Sequence, residues 1–599
     1  MLSTILRQAV DGLRRLNSNR SDRQSELKSI TEQVRQHLER GEVLQAEARC
    51  KEILTASPNH PEANHLLGRI KGMGGNYSEA IQFLQRAMHS DPGMAEAHTD
   101  LGNVFQLQED LEQATKSYER AINIRPDYLN AWYNLGCTLK RQNHNENAVD
   151  CFLKAVELEP GFEPAVKDLI ALLDRLGRHE QAQNILIKIL DIDSNHVTAH
   201  AGLGYILLKR YFDPKQALSH FNEVIRLRSA DSELYGNRGI ALQDLGLVDE
   251  AIQSYDKALE LAPINRWVRF HRSLALLLQG RFEEAWPDYE IRLESEDRPN
   301  RNFPFPVWDG SDLTNKTILI HGEQGLGDEI MLASCVPDVI ASAKHCVIDC
   351  SPKLESIFER SFPEATIHGG SQNDDLNWLT DMPPIDCHLP IGSLPLHFRR
   401  TLKKFPNHHT GYLKTDERRV AYWQAKLTAL GEGRTVGISW RGGTLQSRSP
   451  MRSIPLEHWL PILQSKKVHF INLQFGESAA ELSKLSEIHG IYIHNWPEAI
   501  NDYDETAALV SAMDLTISVC TAIIHLAGAL GKDVWVMAPK SPEWRYGLTE
   551  NSMPWYPGVK VYRQLHYGDW SSVISSIKTD LSIFSKERNS DSITRSTRV

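Results

Sequence analysis

The residues best suited to chemistry lie in the second half of the chain. Asp328 follows an apolar stretch, Thr317 to His321, and a Gly325-Leu326-Gly327 turn. That places its carboxylate at the start of a predicted helix, where the helix dipole favours it and where it faces the cleft above a strand. Glu323 and Glu329 are its nearest substitutes. Further on, the apolar TVGISW (435 to 440) leads into the loop RGGTLQSRSPMRS, with Arg441 and Arg452 at its two ends. A guanidinium holds two phosphate oxygens at once. Thr521 and Ala522 open a predicted helix whose first backbone amides suit a diphosphate, and His525, one turn later, is a further donor. Gln474 closes the strand-like VHFINLQF as a candidate polar contact to the same ligand. The chemistry these residues could perform is proton abstraction by a carboxylate beside a bound phosphate. Each also has a plainer reading: Asp328 as a helix cap, the arginines as surface charges, His525 as a packed core residue.

Elements that could position these residues follow from the change in apolar period at Lys316. From there, short apolar runs alternate with helical segments of about ten residues, which predicts βα units and parallel sheets. One series runs from TILIH through HCVIDC, and a second from TVGISW through VHFINLQF, LTISV and DVWVM. No GxGxxG follows the first strand, so nothing in the turn points to a dinucleotide. Two Asp-x-Asp strings, Asp191 to Asp193 and Asp502 to Asp504, have the spacing used by metal-dependent transferases. The first closes a helical unit and the second precedes a helix, where aspartate caps. No metal is therefore expected.

The first half repeats every 34 residues. Leu67-Gly68, Leu101-Gly102, Leu135-Gly136 and Leu203-Gly204 share one register, as do Ala46, Ala80, Ala114, Ala148 and Ala182, and Pro58, Pro92, Pro126 and Pro160. After an insertion at Tyr211 to Lys215 the series resumes with Gly239, Ala251, Tyr255, Ala258 and Pro263. Each unit reads as a helical hairpin in which Gly and Ala permit close approach and Pro stops the second helix. Tyr118, Phe152, Phe221 and Tyr255 are expected to fill the gaps between neighbouring hairpins. The pattern resembles the tetratricopeptide repeat, with about eight units over 31–295. The resemblance implies a superhelix whose concave groove binds protein or peptide. Asp100, Asn134, Asp168 and Asn237 occupy the positions that line such a groove and could hold an extended backbone; as a plainer alternative they are solvated polar residues.

Composition narrows the partner. With 66 Lys and Arg against 77 Asp and Glu, the net charge of −11 gives no field that attracts nucleic acid, so none is expected as a partner. Any phosphate must be held by local groups. Eight cysteines without a CxxC or a zinc spacing read as reduced, buried thiols of a cytoplasmic protein. Arg7 and Asp11 interrupt the N-terminus where a signal peptide needs an apolar run, and no transmembrane segment is expected. Only three of the 13 tryptophans precede residue 300, which suggests two joined architectures.

Across about residues 300 to 580, the ordered set GEQGLGDEIML, ISWRGG, RSIPL, INLQFG, DETAALVSAMDLTISV, TAIIHLAGALGKDVWVM and PEWRYG resembles glycosyltransferase family 9, the heptosyltransferase-like enzymes. More closely it is similar to bacterial proteins that fuse tetratricopeptide repeats to such a domain. The resemblance implies a multidomain chain: an all-α repeat superhelix followed by an α/β GT-B domain of two Rossmann-like lobes. It also implies a metal-independent, inverting transferase with a nucleotide-sugar donor, Asp328 as base and Arg452 as the main phosphate ligand. The chain departs at Cys520, where relatives carry an acidic residue, and this puts the donor and turnover in doubt. The expected parts are an amphipathic lead-in (1–30), the repeats (31–295), a linker (296–315), an acceptor-side lobe (316–410), a donor-side lobe (411–584) and a disordered tail (585–599). A protein acceptor recruited by the repeats is the leading expectation. The alternatives are a scaffold with a degenerate transferase domain and a transferase acting on a saccharide lipid.

Overall fold

The computed structural model describes residues 28–228, 231–294, 301–323, 325–370, 375–406, 410–443, 448–548 and 550–595. The chain divides into two compact units, one ending at Ile206 and one starting at Leu207. Most of the expected lead-in lies outside the described residues, and the first described helix spans 28–39.

The first unit is a series of helical hairpins. The first helices of successive hairpins, Pro61–Met73, Ala95–Leu107, Leu129–Arg141 and Glu163–Arg175, keep the 34-residue register, and the second helices end two residues before each periodic proline. The residue before each proline is extended, as at Asp91 (φ −139°) and Arg125 (φ −135°), because the proline ring excludes the helical region there. The aromatics sit elsewhere than expected. A Cβ added to Gly102 would lie 2.6 Å from the ring of Tyr118, and one on Gly136 would lie 2.7 Å from the ring of Phe152. Tyr118 and Phe152 thus fill the gap within a hairpin, between its own two helices, and glycine is required because an aromatic face rests on it.

The second unit carries the later hairpins and the two sheets together. In the first sheet, β1 (Thr317–His321), β2 (His345–Cys350), β3 (Thr366–Gly369) and β4 (Cys387–Pro390) run parallel in the order β3-β2-β1-β4. The second contains β5 (Arg434–Ser439), β6 (Val468–Asn472), β7 (Leu515–Val519), β8 (Val534–Ala538), β9 (Ser552–Met553) and β10 (Tyr556–Arg563), in the order β6-β5-β7-β8-β10-β9. All its pairings are parallel except that of the short edge strand β9. β1 and β7 are buried along their whole length and β5 in all but its first residue, as strands of a parallel sheet covered on both faces are.

The seam expected at 296–315 is not a free linker in its described part. Val307 pairs in parallel with His388, and Trp308 donates its amide to the His388 carbonyl at 2.8 Å, so this stretch extends the first sheet beside β4. The last hairpin is joined to the α/β part by aromatic packing. Trp286 is buried, its ring centroid lies 5.7 Å from that of Trp544, and its indole donates to the Arg399 carbonyl at 3.0 Å. The tail also differs from expectation. The helix Ser571–Arg595 continues through most of it, since no Gly or Pro interrupts the stretch once Val573, Ile577 and Leu581 dock on the second sheet's core. Residues 596–599 lie outside the described residues. Among the described residues no helix is long and apolar enough to cross a membrane.

Candidate functional site

In the second sheet the strand order reverses direction between β5 and β7, so the loops leaving their carboxyl ends part and leave a crevice. The two loops still approach closely at their base: a Cβ on Gly442 would meet the Cys520 carbonyl at 2.6 Å. Across the crevice stands the helix Leu326–Leu332, which follows β1 of the first sheet. Gly327 lets it touch the helix Ala522–Ala529, since a Cβ there would lie 3.1 Å from the His525 ring and 3.2 Å from the Ala522 Cα. Between these elements lies a cavity of about 750 Å³, which Asp328, Arg441, Arg452, Gln474, Thr521, Ala522 and His525 all line.

The structure gives these residues distinct positions. Asp328 is the third residue of its helix, whose N-cap is Gly325, so its side chain is not a cap. Its carboxylate instead faces Arg545, with Oδ1 2.8 Å from a guanidinium nitrogen. Glu323, one of the substitutes, is taken up by the buried Arg292 at 2.6 Å. Glu329, the other, is buried beneath Gly322 and accepts the Ser351 amide at 2.9 Å. Burial pushes its carboxyl up to about 7, and the nearby Asp349 and Asp328 add to the rise.

On the opposite wall, Gln474 is spent on holding the loop after β5. Its Oε1 accepts the amides of Trp440 (3.0 Å) and Arg441 (2.8 Å) and the Ser439 hydroxyl (3.2 Å), and its Nε2 donates to the carbonyls of Arg441 and Phe475. The expectation that it contacts a ligand gives way to a positioning role, because its amide is fully engaged. Arg441 reaches along the rim to Glu481 at 3.0 Å. Arg452 is deeper and pairs with Glu543. Burial, with Arg545 beside it, holds the Arg452 guanidinium below its ordinary value.

Burial opposes the charge of Arg545 too, but Asp328 together with Tyr546, Tyr289 and Cys520 outweighs it and holds this group above its ordinary value. Arg563 adds a third guanidinium nearby, donating to the carbonyls of Tyr546 (2.5 Å) and Glu550 (2.9 Å). His525 is 2% exposed, and burial together with Arg545 and Arg452 drives it well below its usual range, so its ring is neutral. Thr521 is the N-cap of its helix, with extended backbone and no side-chain cap bond, and the helix start at Thr521, Ala522 and Ile523 lines the cavity. Cys520 lies among these arginines, buried, with its thiol pushed up to about 11 by desolvation. Arg545, Tyr546 and Glu543 were not singled out in the sequence. The PEWRYG string holds all three, but only the packing of Trp544 on Trp286 shows which way the arginine points.

The Asp-x-Asp strings serve as turns and caps. Asp502 accepts the amides of Asp504 (2.9 Å) and Glu505 (3.3 Å), and Asp193 accepts that of Asn195 (3.0 Å). Among the described residues no group of three or more His, Cys, Asp and Glu side chains could hold a metal ion.

In the first unit the expected groove residues form a polar ladder. Asp100 is bonded to His65 (2.7 Å) and Asn103 (3.2 Å), Asn134 donates to Asn103 (2.9 Å), and Asp168 is held by Tyr133 (2.9 Å) and Lys140 (2.6 Å). All three remain half-buried. Asn237, in the second unit, differs. It is 7% exposed, and Asp244, two turns further along the same helix face, is covered by Arg448. This part of the inner face is closed by the chain itself.

Tetratricopeptide-repeat family models match residues 37–103, 93–158 and 232–265. The chain is 32% identical to Protein FlbA of Caulobacter vibrioides over 390 residues, 62% of this chain and 65% of that protein. It is 39% identical to the uncharacterized protein MJ0572 of Methanocaldococcus jannaschii over 54 residues, 9% of this chain and 63% of that one. The chain thus spans less than two thirds of the length of either relative. Similar solved structures include YrrB, described as a TPR protein with an unusual peptide-binding site (20% identity, TM-score 0.27, 32% of this chain and 98% of that one). Pseudomonas aeruginosa pilF is another (20% identity, TM-score 0.30, 36% and 96%). The N-terminal part of this chain is therefore built from tetratricopeptide repeats, and an α/β region with parallel sheets follows them.

Proposed function

We propose that the second unit is a glycosyltransferase of the two-lobed GT-B kind, which takes a sugar from a nucleotide-sugar donor, and that the repeats of the first unit recruit a protein acceptor. The observation that carries this reading is the concentration of buried cationic groups, Arg452 and Arg545, beside a helix N-terminus in one crevice at a strand-order reversal. Each guanidinium already has a carboxylate partner, Glu543 for Arg452 and Asp328 for Arg545, and its planar fork carries further N–H donors for an anionic ligand in a chain whose net charge of −11 attracts none by itself. A diphosphate suits the fork of Arg452 and the first-turn amides at Thr521 and Ala522.

In this reading Asp328 takes the proton of the acceptor hydroxyl as its oxygen bonds to the sugar's anomeric carbon. The bond from that carbon to the diphosphate breaks on the opposite face, and the nucleoside diphosphate leaves with its electron pair. The diphosphate offers Arg545 a second anionic partner, and this frees the carboxylate for proton transfer. The ladder of Asp100, Asn134 and Asp168 supplies the acceptor's backbone with donors and acceptors.

A second reading, a nucleotide-binding scaffold without turnover, is favoured by two features: Arg545 occupies the Asp328 carboxylate, and a thiol stands at 520. Incubating the full chain with a panel of nucleotide sugars separates the two. Release of nucleoside diphosphate from one donor, lost in Asp328→Ala, supports the transferase; binding without release supports the scaffold. Intact-mass analysis of co-expressed candidate proteins then distinguishes a protein acceptor from a saccharide lipid.

A further inference from the structure

The helix Ser232–Asp244 belongs to a repeat, yet its last residue reaches Arg448, in the loop that follows β5. Asp244 is 5% exposed, and its two carboxylate oxygens each accept from a different terminal nitrogen of Arg448, a fork-to-fork pair. Arg448 is a non-glycine residue in the left-handed region (φ 59°), a strained conformation that persists only where the surroundings hold it. It is the N-cap of the short helix Ser449–Arg452, and both Ser449 and Arg452 line the cavity. Lys209, half-buried and facing the same carboxylate, and the neutral ring of His271 complete the surroundings.

Two more anchors flank this one. Tyr567 donates its hydroxyl to the Phe212 carbonyl at 2.6 Å, and the glycine turn at Gly246 (φ 80°) lies against the Lys540 side chain. Arg545 is set in the same manner, since its neighbour Trp544 packs on Trp286 and Tyr289.

We propose that Asp244 is a positioning residue for the cavity: through Arg448 it fixes the strained turn that presents Ser449 and Arg452, so this repeat is a structural part of the anion site rather than a recruiting surface. The inference rests on reading the cavity as a phosphate site, and its test keeps the two apart. Asp244→Asn leaves the half-buried Arg448 guanidinium without its carboxylate and can impair folding. Asp244→Asn/Arg448→Met removes both charges and keeps the question answerable.

In the full-length protein, hydrogen–deuterium exchange of the peptide covering 448–456 reads the turn directly, and calorimetric titration with inorganic pyrophosphate reads the site. In both variants, exchange of that peptide is expected to rise tenfold or more while the helices of residues 61–175 are unchanged, and the pyrophosphate Kd to weaken at least tenfold. Exchange within twofold of wild type in the double variant overturns the inference whatever pyrophosphate does. A wild type that fails to bind pyrophosphate, with exchange still rising in the variants, removes the phosphate reading and leaves Asp244 as the holder of the turn.

Discussion

Replacing Arg545 by methionine tests the cavity's electrostatics at the cation that faces Asp328. Methionine keeps much of the stem's volume but removes the guanidinium, and with it the cation's 5.6 Å approach to the Trp544 ring. A hydrogen bond to a charged group contributes about 1.5 to 3 kcal/mol. Each 1.4 kcal/mol is about tenfold in affinity, so loss of the contact weakens nucleoside diphosphate binding by roughly 10- to 150-fold. The free protein changes as well, because Asp328 loses its partner at 2.8 Å and remains only 20% exposed. That cost falls on bound and free states alike unless the diphosphate approaches the orphaned carboxylate, where like-charge repulsion adds to the loss. The assay is isothermal titration of ADP, GDP, UDP and CDP into wild type, Arg545→Met and Arg545→Lys at two salt concentrations. Lysine keeps the charge without the fork and should fall between the other two. If Arg545→Met binds the preferred diphosphate within twofold of wild type while its thermal unfolding is unchanged, the guanidinium does not face the ligand and the reasoning fails.

Asp328→Asn should lower kcat at least 100-fold while leaving diphosphate affinity equal or up to about tenfold tighter, since it removes an anion from the site; titration and turnover assays on one preparation check both. Gly442→Ala places a methyl group against the Cys520 carbonyl and should lower the stability of the second unit by about 1 to 3 kcal/mol, read as a lower thermal midpoint. Gly136→Ala should destabilise the first unit by a similar amount, partly reversed by Phe152→Leu, because the glycine is there for the Phe152 ring. Glu329 gives a pH test. Its folded value of about 7 lies above the ordinary 4.5, so the unfolded chain gives up this proton first as pH rises. Stability is then lost between about 4.5 and 7, by up to about 3 kcal/mol. Glu329→Gln should flatten that slope in urea titrations at pH 5 and 7.5, and a slope equal to wild type contradicts the assignment.

Much of this architecture was legible in the sequence because periodicity dictates it. The 34-residue register placed the hairpins, and short, mainly apolar runs such as TILIH and LTISV placed the parallel strands. The cavity's lining was legible as well, since Asp328, Arg452 and Thr521 each follow a strand end and topology brings strand ends together. Partnership was not legible. Nothing in the spacing says that Arg545 faces Asp328, or that Gln474 spends its amide on its own loop. The seam misled for the same reason. Composition changes near residue 300, but compactness changes near 206, because Trp286 and Asp244 use side-chain packing, which has no period, to bind the last hairpins to the α/β part. The aromatic residues of the repeats were placed in the wrong gap because the residue types alone do not say which neighbour rests on a glycine.

The most direct test of the central claim is a crystal structure of the full chain with the nucleoside diphosphate it binds most tightly. The account predicts diphosphate oxygens within hydrogen-bond distance of Arg452, of Arg545 and of the backbone amides at Thr521 and Ala522, with Asp328 released from Arg545. A diphosphate bound outside this cavity, or a cavity still empty at saturating ligand, would contradict it.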